Sequence, residues 1–231
     1  MWSYYGSKSR VVHLYPKPVE DKIIEPFAGS ARYALRYWQK EVLLVDKYDV
    51  VIKVWKYLQQ CSPGDILGLP KLTTGMELDK LPLAEEERLF LGLLAGVAST
   101  MPRNKVSAFS GEQNGRKNKM KNIANQLHKI KHWEFLHGSY EEIPNQRATW
   151  FIDPPYEFGG HAYVESDINF VVLAEWSRNR DGQVIVCENT KAAWMDFKPM
   201  ARMRGANRDH TVEAIWSNLP MPYDFQQTCL F

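Results

Sequence analysis

Trp150-Phe151-Ile152-Asp153-Pro154-Pro155-Tyr156 decides how the rest of the chain is read. A short apolar run suited to a buried strand ends abruptly in an acid, two prolines and an aromatic ring. Proline has no N–H to give a sheet ladder, so the strand stops there. In an open α/β sheet, ligands sit beyond the carboxyl ends of the strands. A carboxylate, a proline carbonyl and a ring would then project together into that crevice. Taken alone, Asp-Pro-Pro is also an ordinary way to open a loop, with Tyr156 packing on whatever lies beneath.

Working outward, residues 22–26 read as a short strand, 27–31 as a small-residue turn, and 31–40 as a helix with Ser30 as its cap. Strand, tight turn and helix form the first unit of a nucleotide-type fold, in which small side chains let the backbone close on a ligand. Residues 41–46 are a second strand, again ending in an acid. Asp46 follows Gly29 by 17 positions, close to the spacing at which a strand-end carboxylate meets a ribose. Asp46 also stands where it would cap a helix over 48–60, whose Val50, Val51, Val54, Trp55 and Leu58 carry a helical period. The two roles are compatible.

Residues 61–80, rich in Pro, Gly and Thr, read as a connector leaving the sheet. A helix over 83–100 follows, then a polar loop over 101–115 and a basic amphipathic helix over 117–131. Strands are expected over 133–140 and 183–187, and a capped helix over 166–180. The glycines and aromatics of 157–163 suggest a loop that closes over a substrate, with His161 on the surface. Trp176, Trp194 and Trp216 read as core.

No apolar run approaches the roughly 18 residues of a membrane span, and the N-terminus lacks a signal-peptide core. Cys61, Cys187 and Cys229 have no metal-ligand spacing, so neither a disulfide nor a bound metal is expected, and a cytoplasmic setting is. Net charge is only +2, but it is unevenly spread. Between Arg103 and His132, eight basic residues against Glu112 alone give +7 and leave −5 for the remainder. Such a block is either a footprint for a polyanion or a solvated lysine-rich face.

Asp153-Pro154-Pro155-Tyr156 resembles the catalytic signature of the DNA amino-methyltransferases, which use S-adenosylmethionine (SAM). Tyr4-Tyr5-Gly6-Ser7-Lys8 is similar to the aromatic-Ala-Gly-Gly-Lys motif of one class, with Tyr4 on the aromatic, Lys8 on the lysine, and Tyr5 and Ser7 departing. Pro26-Phe27-Ala28-Gly29-Ser30-Ala31 resembles that family's Pro-Phe-x-Gly-x-Gly loop, with Ala31 in place of the last glycine. The segment 213–218 resembles the family's final strand, expected beside the catalytic one. The order of motifs looks like that of the adenine-methylating class that includes bacterial and phage GATC methyltransferases.

The resemblance implies a SAM-methyltransferase Rossmann-like α/β sandwich: a mostly parallel seven-stranded sheet, one strand reversed, with a small helical insertion. Residues 1–60 and 133–231 would hold cofactor and catalysis, and 61–132 would recognise the target. SAM would contact Tyr4, Tyr5 and Lys8, then Pro26, Phe27, Ala28, Gly29 and Ser30, then Asp46, Ser139, Tyr140 and Asp153. Asp153 and the Pro154 carbonyl would grip the target amine, with Pro155 shaping the turn and Tyr156 stacking on the base. Duplex DNA would meet Arg103, Lys105, Arg116, Lys117, Lys119 and Lys121, with Tyr163 shielding the extruded base. The host would be a bacterium or phage, and a cognate restriction nuclease is a partner the resemblance allows. Rival readings are methylation of the cytosine 4-amino group, of RNA or of a protein glutamine, and a catalytically silent nucleic-acid binder on the same fold.

Overall fold

The computed structural model describes residues 2, 4, 6–96, 99–108, 119–204, 210–220 and 228–229. Its sheet is built from β1 (Lys22–Glu25), β2 (Glu41–Asp46), β3 (Glu134–His137), β4 (Ala148–Ile152), β5 (Gly182–Asn189), β6 (Lys198–Arg204), β7 (His210–Ser217) and the two-residue β8 (Thr228–Cys229). The spatial order is β3-β2-β1-β4-β5-β7-β6-β8. Every pairing is parallel except those of β7, which runs against both β5 and β6. Seven strands of ordinary length, mostly parallel and with one reversed, are the sheet expected from the sequence.

All five residues of β4 are buried. No polar alternation marks it because both faces are covered, as in parallel sheets flanked by helices. Ile23, Leu44, Phe151 and Ile185 face a cluster shared with α1 (Arg32–Arg36) and α2 (Asp49–Gln60). Ile24, Val45, Trp150, Ile152 and Val186 face the other way, onto Leu173 and Ala174 of α6 (Phe170–Arg178). The strand order runs outward from β1 in one direction and from β4 in the other. The carboxyl ends of β1 and β4 therefore flank a topological switch point, where such sheets leave a crevice.

Between β2 and β3 lie α3 (Pro63–Gly68), α4 (Glu85–Leu94) and α5 (Lys119–Ala124). Their Ile66, Phe90, Leu93 and Ile123 join the same buried cluster as Val54, Trp55 and Leu58 of α2. The Lys131 ammonium donates to the carbonyls of Gln59 and Cys61, tying this segment to the end of α2. No helix among the described residues is long and apolar enough to cross a membrane.

Four local expectations are corrected. First, α1 has five residues and is capped by Ala31 in the left-handed region (φ 44°), not by Ser30, whose hydroxyl instead donates to Ser7 Oγ. Second, α4 stops at Leu94 because the chain doubles back: Arg103 N donates to Gly92 O and Ser107 N to Ala95 O. Third, the basic helix is shorter than its apolar period suggested, α5 giving way to a 3-10 turn over Leu127–Ile130. Fourth, β7, which carries 213–217, lies beside β5 and not beside the motif strand β4. Trp176, Trp194 and Trp216 are half-buried against the second cluster.

Candidate active site

The turn after β1 is held from below. Ala28 N donates to Val45 O at 3.0 Å, Ala31 N to Ala28 O at 2.7 Å, and Trp55 Nε1 to Gly29 O at 3.0 Å. Gly29 sits at φ 43° with the Tyr4 ring against it; an added Cβ would stand 3.2 Å from that ring. Asp46, at the end of β2, accepts Gly29 N on Oδ2 and Tyr48 N on Oδ1, each at 3.0 Å. It thus closes a local turn ahead of α2, whose N-cap is Tyr48 with no side-chain cap, so the expected capping by Asp46 is corrected, and it staples the glycine turn while still lining the cavity above. Burial pushes its pKa up to about 6, against the pull of those two N–H groups.

At the end of β4, Asp153 is one-fifth exposed and turned toward Lys8, whose ammonium lies 2.9 Å from Oδ1. Lys8 is nearly fully buried and also lies 3.6 Å from Glu213 Oε1 on β7. Tyr156 closes the group. Its oxygen accepts from Lys8 Nζ at 2.6 Å, and its O–H donates to Glu213 Oε1 at 2.6 Å. Tyr15 donates to the same oxygen at 2.5 Å, while Glu213 Oε2 has no hydrogen-bond partner among the described residues. Burial raises the Asp153 pKa to about 6, and Lys8 opposes that rise. The Lys8 pKa itself is raised, its carboxylate neighbours Asp153 and Glu213 outweighing burial, the largest single influence.

Both halves open on one cavity of about 310 Å³, inside the usual range for small-molecule sites. Tyr4, Lys8, Pro26, Phe27, Ala28, Gly29, Ser30, Asp46, Ser139, Tyr140, Asp153 and Pro155 all line it. Phe27 packs on Tyr140 with ring centroids 5.5 Å apart, and the Tyr4 hydroxyl donates to Thr100 O. Pro154 is buried. Tyr156 packs its ring against the first core cluster and turns its hydroxyl inward. Tyr5 lies outside the described residues.

The loop after the motif folds back over this cavity. Glu188, itself buried, accepts Glu157 N at 3.2 Å. Tyr163 reaches Gly6 so closely that a Cβ there would stand 2.2 Å from its hydroxyl. Glu165 pairs with Lys47 at 3.1 Å. Tyr163 thus lines the cavity wall, whereas Arg103, Lys105 and Lys121 are exposed and Lys119 is half-buried, none of them lining it. Arg116 and Lys117 lie outside the described residues.

Sequence patterns alone did not single out Glu25, Arg32, Tyr15, Glu188 or Glu213. Glu25 had a signal: it is a strand-end acid like Asp46 and Asp153, and it lines the cavity with one oxygen accepting Ala34 N at 2.7 Å. Glu213 had none, being one acid inside a strand whose neighbours only the folded sheet reveals.

No family model matches the chain, and no curated protein matches it. Among solved structures, a "putative methylase" from Haemophilus influenzae is similar, with 10% identity over 87% of this chain and 81% of that chain, and a TM-score of 0.38. At that distance, function has to be argued from the site itself.

Proposed function

We propose that the chain is a DNA methyltransferase that transfers a methyl group from SAM to the 6-amino group of an adenine flipped out of the duplex. One observation carries the reading: the Asp153 carboxylate opens into the same cavity as the Gly29 turn and Asp46. The residues suit the cofactor's chemistry. Asp46 offers carboxylate oxygens for vicinal hydroxyls, and Phe27 and Tyr140 offer ring faces for a purine. SAM supplies an electrophilic methyl on a sulfonium.

The adenine amine is a weak nucleophile because its lone pair is delocalised into the ring. Asp153 and the Pro154 carbonyl would accept its two N–H bonds and favour a tetrahedral nitrogen, freeing that lone pair. Lys8 keeps Asp153 ionised against burial, so the carboxylate is an acceptor at neutral pH. Fixing the amine in this way can lower such a barrier by about 7–11 kcal/mol through proximity and orientation, and aimed dipoles add to it. The amine is unreachable inside a duplex, hence the flipped base. The basic residues of 103–131 would hold phosphates.

Tritium transfer from labelled SAM to unmethylated DNA, followed by nuclease digestion and chromatography, tests this. Label in N6-methyladenine supports the reading; label in N4-methylcytosine replaces the acceptor; no label with DNA binding retained leaves a silent binder.

A further inference from the structure

The cavity's charges do not cancel locally. Three basic side chains line it: Lys8, Arg32 and Lys47. Lys8 is committed to Asp153 and Glu213, and Lys47 to Glu165. Arg32 has no carboxylate partner among the described residues. It is half-buried, and its Nε donates to Ser7 Oγ at 3.0 Å and its Nη2 to Trp2 O at 2.5 Å. Two of the five donors of a guanidinium are therefore used on neutral acceptors. Burial lowers its pKa with no anion to offset that. A partly buried, unmatched guanidinium in a site otherwise rich in carboxylates is an arrangement that a ligand's own anion completes.

We infer that Arg32 receives the carboxylate of the cofactor's amino-acid end. The inference rests on the SAM reading above and refines it: Lys8 is spent on Asp153 and Glu213, which leaves an arginine three residues beyond Gly29 to meet a ligand's anion. The contacts to Ser7 and Trp2 fix the guanidinium's plane, so its remaining N–H groups are aimed and not free to wander. Methionine-derived and homocysteine-derived ligands share this carboxylate, whereas a decarboxylated analogue does not.

Calorimetry on the full chain tests the assignment. The probes are S-adenosylhomocysteine and S-adenosyl-3-thiopropylamine, which keeps the amine and lacks the carboxylate. Wild type should prefer the first by about tenfold or more, the worth of a charge-assisted hydrogen bond. Arg32→Leu should lose that preference by weakening only the carboxylate-bearing ligand, and Arg32→Lys should keep part of it. A thermal melt checks that the variants are folded. Equal weakening toward both ligands in both variants would assign Arg32 to holding the N-terminal segment and overturn the inference. So would an unchanged preference in Arg32→Leu, which would leave the SAM reading standing. Failure of wild type to bind either ligand would instead remove the SAM reading, and this inference with it.

Discussion

Lys8 lies 2.9 Å from Asp153 and is the sole cation within ion-pairing reach of both Asp153 and Glu213 among the described residues. Removing one partner of a buried pair costs about 3–5 kcal/mol, because the other charge is stranded. Lys8→Met should lower stability by that order in urea unfolding at neutral pH. Glu213→Gln, which keeps the shape and the Lys8–Asp153 pair, should cost less. Equal losses in the two variants would mean that the ion pair is not what Lys8 contributes.

Stability and activity should respond to pH in opposite directions. Asp153 and Asp46, raised to about 6, and Glu188, raised to about 7, all bind protons more tightly folded than unfolded, burial being the leading cause in each. Their contribution is fully present below the unfolded values near 4 and is lost as pH rises through 6 to 7. Thermal stability should therefore increase from pH 7.5 to 5. On the proposed mechanism methyl transfer needs Asp153 ionised, so it should fall over the same interval. A melting temperature that declines steadily on acidification would contradict the first expectation.

Asp153→Ala should abolish transfer while much SAM binding survives, since Asp46 and the glycine turn remain. Losing one aimed polar group costs about 10²–10³ in kcat even where others persist, and in the proposed mechanism Asp153 is one of two acceptors. Turnover retained in this variant, measured by label transfer, would take Asp153 out of the mechanism.

Gly160→Ala tests whether the motif's backbone is held by the loop behind it. An added Cβ would stand 2.9 Å from the Pro155 carbonyl carbon, a backbone atom that cannot swing aside. A displacement near 1 Å can cost about 10²-fold in rate. The variant should lose kcat and keep its affinity for SAM, and a kcat equal to wild type would mean that the turn is indifferent to its support.

Charge reversal at Arg116, Lys117, Lys119 and Lys121 should weaken DNA binding and flatten its salt dependence, by about one unit of slope for each phosphate no longer neutralised. Titrations at two salt concentrations suffice. An unchanged slope would mean that the block faces solvent.

What sequence could reveal, and what it could not, divides along physical lines. The residues of β2 match the expected strand 41–46 throughout, because a short apolar run closed by an acid is local information. Asp46 and Asp153 were legible for the same reason: strand ends are marked by the chain itself. Ala31 as helix cap was not, since the cap is chosen by a backbone angle and Ser30 had the better chemistry on paper. β6 and the true neighbour of β7 were missed because strand adjacency is settled by the whole sheet. The proximity of Lys8 to Glu213 was beyond any local pattern, whereas the crevice between β1 and β4 followed once the strands were known to be parallel.

The hydrogen bond between Tyr15 and Glu213 joins positions 198 residues apart, and Lys8 bridges the same distant strand to the middle of the chain. A ribosome would finish the glycine turn, the insertion and the motif before Glu213 had been made. Until β7 docks, the lysine lacks its second counter-charge and Tyr156 lacks the acceptor that orients its hydroxyl. Competence at this centre should therefore arrive late and all at once, and a nascent chain halted before residue 213 would carry every motif and still be inert.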